Sequence, residues 1–277
     1  MPLLKIGYIA FSVVTILALT GCQTTEIKTS LVATDKGPIA FPLQDAFWGS
    51  REIKSGIGTL NLPTSTKGKV PLVVLAHGTA GAGYRESAWS DYLNGLGYGT
   101  FILDYFGPRG ENGSGRKVPR PKEDVWGALS ILSTHPGLDM NKVAVMGFSN
   151  GGSVTLNSAG LDPKQDTRNV LPKAFIMVYG GCHSSVIFGI DDYNPALLYI
   201  AGSKDQLVKA STCRERLYDK SSSDLDVMVI DGAYHMFDSN RNKTINHPKW
   251  GSVTMRADSG ATEKARKRVR RLLKRVF

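Results

Sequence analysis

Residues 141 to 152 read Asn-Lys-Val-Ala-Val-Met-Gly-Phe-Ser-Asn-Gly-Gly. A short run of apolar β-formers, Val143 to Met146, breaks into Gly147-Phe148-Ser149-Asn150-Gly151. The chemistry on offer is nucleophilic attack. A serine between two such glycines suits a sharp, strained turn from strand to helix, where side chains two positions away would strike neighbouring backbone. A serine hydroxyl is a poor nucleophile near neutral pH, so it needs a base beside it. The base needs an acid to fix its tautomer, and the developing oxyanion needs preorganised donors.

The base is sought among the histidines. His77 stands at a strand end before glycine, His135 precedes a proline, and His247 lies in a polar stretch. His235 follows the last strand, in Asp-Gly-Ala-Tyr-His-Met-Phe, and loops after carboxyl strand ends are where open α/β sheets keep their site residues. His235 is therefore the expected base. Asp205 ends an apolar run in Gly-Ser-Lys-Asp, between serine and histidine in the chain, and is the expected acid. Asp104 also ends a strand but precedes the serine, which suits a structural role. Asp191 and Asp192 are weaker competitors. The backbone N–H of Asn150 and the glycine-rich loop after Ala76, at Thr79, are the expected oxyanion donors. His77 would orient that loop rather than titrate in catalysis.

The elements around these residues alternate. Strands are read at Ile53–Leu62 (an edge strand), Pro71–Ala76, Gly99–Asp104, Val143–Met146, Ala174–Val178, Leu197–Ala201 and Val227–Ile230. Helices are read at 87–96, 122–133, 151–161, 208–220 and 261–277. Short continuous apolar runs alternating with helical patterns argue an α/β fold: a mostly parallel central sheet with helices on both faces, a three-layer sandwich. The last helix sets Ala265, Val269, Leu272, Leu273 and Val276 on one stripe and Lys and Arg elsewhere. Such a helix either packs on the sheet with a solvated basic face or lies on an anionic membrane. Tyr105 to Pro121 is read as a loop lining the mouth of the site. Its Arg109 and Arg116 either meet an anionic substrate or make structural contacts.

Among 277 residues the net charge is +10, yet residues 256 to 277 hold nine Lys or Arg against two Asp or Glu. The remainder carries only about +3, and this near-neutral body is a poor candidate for binding nucleic acid. At the N-terminus, Lys5 precedes an apolar run from Ile6 to Leu19 that is too short to span a bilayer comfortably. The run ends in Leu-Thr-Gly-Cys, which resembles a bacterial lipobox and makes Cys22 the expected lipidation site; an ordinary signal sequence or uncleaved anchor is the alternative. Residues 1–21 are then a signal peptide, 22–50 a tether (polar from Thr24 to Lys36) and entry segment, and 51–277 the folded domain. The setting would be a bacterial envelope, on the periplasmic or outer-membrane side, with the membrane engaged through the anchor. In an exported chain the remaining pair, Cys182 and Cys213, suits a disulfide; two buried thiols are the alternative.

The chain resembles the dienelactone hydrolase-like branch of the α/β-hydrolases. The likeness runs from about Pro71 to Phe277 and rests on AHGTAG at Ala76, WSDYLNGLGYGTFILDYFGPRG at Trp89, GFSNGG at Gly147, YGGC at Tyr179, GSKD at Gly202 and GAYHMF at Gly232. It implies the α/β-hydrolase fold with Ser149, Asp205 and His235 as nucleophile, acid and base, and it also implies the Cys182–Cys213 bridge. Founding members carry a cysteine nucleophile where this chain has Ser149, and serine points to ordinary ester chemistry. The expected activity is carboxylic ester hydrolysis through an acyl-enzyme, on a small or extended ester, free or polymeric. No metal or organic cofactor is called for. The competing classes are a serine peptidase of oligopeptidase type and an envelope lipoprotein that binds without catalysis.

Overall fold

The computed structural model describes residues 25–64, 67–113, 118–159, 170–182, 193–218, 224–248 and 250–277. The signal segment and Cys22 lie outside these residues, as do Arg116, Asp191 and Asp192.

The chain enters through β1 (Gly37–Pro42), the two-residue partners β2 (Phe47–Trp48) and β3 (Arg51–Glu52), and β4 (Ser55–Asn61). From β5 (Val70–Ala76) strands and helices alternate: α1 (Tyr84–Gly95), β6 (Gly99–Asp104), α2 (Lys122–Leu132), β7 (Leu138–Phe148), α3 (Asn150–Ser158) and β8 (Ala174–Val178). Then follow β9 (Ala196–Gly202), α4 (Ala210–Tyr218) and β10 (Leu225–Ile230), a hairpin of β11 (Lys243–His247) and β12 (Gly251–Met255), and α5 (Ser259–Val276). The main sheet runs β1-β4-β6-β5-β7-β8-β9-β10. Its first two pairings are antiparallel and the rest, from β6 to β10, are parallel.

Strand β5 shows why both faces must be covered. Val73 and Leu75 point into one core with Trp89 and Leu93 of α1 and Ala265 and Val269 of α5. Leu72 and Val74 point into the other, with Val125 and Leu129 of α2, Val154 of α3 and Leu217 of α4. A continuous apolar run is thus two alternating faces, each roofed by helices. Helix α5 seats its stripe, Ala261, Ala265, Val269, Leu272 and Leu273, on the sheet. Its basic side is partly spent within the fold: Arg268 pairs with Asp226, and Arg266 lies over the rings of Tyr92 (4.8 Å) and Trp89 (5.6 Å).

Two expectations need correction. The strand expected at the edge, β4, is second in the sheet, and β1 is the edge. The stretch expected as a tether and entry segment makes contacts with the body from Ile27 on. Ile27 bridges to Ala40, Leu31 is buried, and the Leu31 N–H donates to Thr134 Oγ1 at 2.8 Å. A strand bracketed by Pro38 and Pro42 does not look like one in sequence, but an edge strand tolerates proline because one row of its N–H groups faces outward.

Cys182 and Cys213 are bridged, with Cα atoms 5.3 Å apart, and tie α4 to the loop after β8. Replacing both with serine should lower the unfolding free energy by about 2–4 kcal/mol in urea titration. A free thiol at Cys213 in non-reduced peptide mapping would contradict the bridge.

Candidate active site

Four parallel strands end at the same edge of the sheet, and each delivers part of one site. Ser149 stands where β7 turns into α3, with φ 52°, a left-handed conformation that is strained for any residue but glycine. Its N–H donates to the carbonyl of Val178 at 3.0 Å, tying the turn to the end of β8. The turn exists because two neighbours lack side chains. A Cβ on Gly147 would sit 2.0 Å from the Gly151 carbonyl oxygen; one on Gly151 would sit 2.0 Å from that of Ala76 and 2.5 Å from that of His77.

Asp205 follows β9, and His235 follows β10. His235 is buried, and its Nδ1–H donates to Asp205 Oδ2 at 2.7 Å. With that proton placed, Nε2 is the acceptor, and the Ser149 hydroxyl donates to it at 2.9 Å. The second oxygen of Asp205 takes the N–H groups of Leu207 (2.8 Å) and Val208 (2.9 Å), which fixes the plane of the carboxylate. Gln206, next along, binds the backbone of β12 on both sides: it donates to the Ser252 carbonyl and accepts from Thr254 N–H. His235 also bridges to Met255. The β11–β12 hairpin, unexpected from the sequence, thus braces the loops that carry Asp205 and His235. A serine aligned on a neutral imidazole, with a carboxylate behind it, can deliver an alkoxide-like oxygen to a carbonyl carbon.

The loop after β5 lies against Ser149. A Cβ on Gly78 would come within 3.5 Å of Ser149 Cβ, and Thr79 is the next residue. His77 is buried, with Nδ1 donating to the Gly78 carbonyl at 2.7 Å and its ring stacked on Tyr105 at 4.0 Å. It shapes the loop and does not touch the serine. Asp104 accepts from the N–H groups of Phe106 (3.0 Å) and Gly107 (2.9 Å). Burial raises that carboxyl, but the His77 ring and these two N–H groups outweigh it and hold it below the ordinary range.

Asn150 was expected only for its backbone. Its N–H belongs to the first turn of α3, which has no intrahelical carbonyl to meet it. Its side chain proves as constrained: Nδ2 donates to Tyr105 Oη (3.0 Å) and the Pro119 carbonyl (2.9 Å), and Oδ1 accepts from Arg120 Nε (2.9 Å). No spacing rule links residues 105, 120 and 150. Among the described residues no three His, Cys, Asp or Glu side chains converge as a metal-binding group.

The sequence model of the dienelactone hydrolase family matches residues 58–277. An uncharacterised protein of Mycobacterium tuberculosis strain H37Rv is 26% identical over 197 residues, covering 65% of this chain and 68% of its own. Among solved structures, the dienelactone hydrolase-like promiscuous phosphotriesterase P91 from metagenomic libraries superposes with a TM-score of 0.57 at 19% identity, covering 87% of this chain and 99% of P91. The propionate-bound esterase Est2 of Thermogutta terrifontis superposes with a TM-score of 0.56 at 17% identity, covering 80% and 89%. At such identities the superpositions speak for the fold.

Arg109 resolves toward structure. It is buried, and its guanidinium meets Asp124 through two bonds of 2.7 and 2.8 Å while donating to the Tyr105 carbonyl at 3.1 Å. Burial pushes the Asp124 carboxyl up, to about 6, against the pull of Arg109. Removing one partner of such a pair strands a buried charge. Arg109→Ala should therefore cost about 3–5 kcal/mol of stability in chemical denaturation. It should leave KM for neutral and anionic esters in the same ratio.

Proposed function

The chain belongs to the dienelactone hydrolase family, and on that premise we propose a serine carboxylic-ester hydrolase that works through an acyl-enzyme. Ser149 is the nucleophile, His235 the base and Asp205 the acid. The observation carrying this reading is the single imidazole bonded to Ser149 Oγ on one side (2.9 Å) and to Asp205 on the other (2.7 Å).

As Ser149 Oγ attacks the ester carbonyl carbon, its proton passes to His235 Nε2. The carbonyl electron pair moves onto oxygen, and the N–H groups of Asn150 and Thr79 receive that oxyanion. The tetrahedral adduct collapses, the C–O bond to the alcohol breaks, and Nε2 returns the proton to the departing alkoxide. Water then gives a proton to Nε2 and attacks the acyl-serine, and Ser149 leaves with that proton, completing hydrolysis. Asp205 stays ionised throughout and steadies the imidazolium. The loop from Tyr105 frames the approach for a small or extended ester.

Wild-type protein should react covalently with a fluorophosphonate probe, and Ser149→Ala should not. Hydrolysis of short p-nitrophenyl esters should fall by at least about 10³-fold in that variant. Labelling that survives the substitution would remove Ser149 from the mechanism. Cleavage of peptide anilides in preference to esters would move the protein to the peptidase class, and a wild type inert to both probe and esters would leave a binding protein.

We also propose that Cys22 carries a lipid that holds the enzyme at the bacterial envelope, on the strength of the apolar run and the Leu-Thr-Gly-Cys that ends it. Cys22→Ser should move the protein from the membrane to the soluble fraction. If it still sediments with membranes, the anchor lies elsewhere.

A further inference from the structure

Behind the imidazole lies a cluster of charge that the mechanism above does not use. Arg85, Glu86, Tyr179 and Asp238 are all buried. Arg85 bonds Glu86 through Nε (3.0 Å) and Nη2 (2.6 Å), and Glu86 also accepts the N–H of Gly83 (3.0 Å). Nη1 of Arg85 donates to Tyr179 Oη at 3.4 Å, and Tyr179 in turn donates to Asp238 Oδ1. The other oxygen of Asp238 accepts from Trp89 Nε1 at 2.8 Å. One buried guanidinium thus bonds Glu86 directly and reaches Asp238 through Tyr179, and burial raises Asp238 above the ordinary range.

The position of this cluster matters more than its composition. Asp238 lies three residues beyond His235, so its bonds to Tyr179 and Trp89 pin the loop that carries the base. The Tyr179 ring stands 4.6 Å from the His235 ring at 55°, with Phe237 closing its other side at 5.3 Å. Arg85 lies over the Phe148 ring at 4.9 Å, directly before the nucleophile, and its Nη2 is 2.9 Å from where a Gly78 Cβ would be. Strain gathers here as well. Among the described residues four non-glycines have positive φ: Asp45, Ser149, Tyr179 and Met236. One bonds the imidazole, one sets its ring at a tilt against it and one follows it in sequence. Such conformations persist only where surrounding contacts over-determine them.

We propose that Tyr179, locked by Asp238, is a positioning residue for His235, holding the imidazole on the line between Ser149 and Asp205. The inference rests on the serine hydrolase reading above. Tyr179 acts through the imidazole it packs against, so loss of its hydroxyl bond to Asp238 should act on turnover and leave binding alone.

The test compares Tyr179→Phe, Asp238→Ala, Asp238→Asn and Trp89→Phe with wild type. Labelling rates with a fluorophosphonate probe and kcat and KM on p-nitrophenyl acetate are measured on protein shown to be folded by circular dichroism. Tyr179→Phe and Asp238→Ala should each slow labelling and lower kcat about 10-fold, since small displacements of a catalytic group are costly. KM should stay within about 2-fold. Asp238→Asn, whose one amide oxygen can still accept from Tyr179 while its Nδ2 cannot accept from Trp89, should recover part of the rate. Trp89→Phe, which removes one of the two donors to Asp238, should give a smaller loss of kcat with the same KM. If Tyr179→Phe or Asp238→Ala does not fold, Trp89→Phe decides. Folded variants that label and turn over at wild-type rates overturn the proposal, as does a loss expressed in KM. A wild type that never labels would instead remove the serine hydrolase reading on which the proposal stands.

Discussion

The backbone of Gly151 lies against the carbonyls of Ala76 and His77, and no side chain fits between them. That contact sets how closely α3 can run beneath the end of β5. Because α3 is held there, the turn before it must be tight, and Ser149 takes up the strain. The loop after β5 is drawn to the same spot, so Gly78 reaches Ser149. A methyl group at Gly147 or Gly151 would force these layers apart, and serine, helix terminus and loop would no longer face one point. Each hydrogen bond in the site is downstream of this approach of bare backbone.

Legibility in the sequence followed the range of the interactions. Strands buried on both faces announce themselves as apolar runs, so β6 and β8 agree to the residue with their expected bounds, and Ser149, Asp205 and His235, which the fold brings within hydrogen-bond reach of one another, could be picked out as residues that follow strands. What stayed hidden was polar, non-local or at an edge. The proline-bracketed β1 looks like linker because edge pairing needs only half the backbone donors. The β11–β12 hairpin is exposed along most of β11, so little apolar alternation marks it. The pairing of Arg85 with Glu86 is adjacent in sequence, yet its significance depends on Asp238, about 150 residues away. Arg109 stayed open between substrate and structure because its partner Asp124 sits in the next helix, with nothing in the spacing to show the two facing inward.

The site has two supports of different character. One is steric: close glycines, the stacked rings of His77 and Tyr105, and the bridge that fastens α4 beside the loop after β8. The other is polar and buried, with the Arg109–Asp124 pair under Tyr105 and the Arg85 cluster under Tyr179. Steric support fixes where backbone runs, and hydrogen-bonded support fixes how rings are turned. An imidazole that must accept from one neighbour while donating to another needs both, because its reach is set by position and its function by orientation.

One further consequence follows from the strand order. A single strand, β8, separates the strand bearing Ser149 from the strand bearing Asp205. At about 4.8 Å per step, the two strand ends stand roughly 10 Å apart, and the imidazole bridges that gap. The gauge of the site is therefore set first by the spacing of the sheet, and the loops carrying Asp205 and His235 close the remaining distance. Loops at the rim can lengthen, shorten or change chemistry over evolutionary time while this span stays put, so selection can rewrite which molecules enter without renegotiating how they are cut.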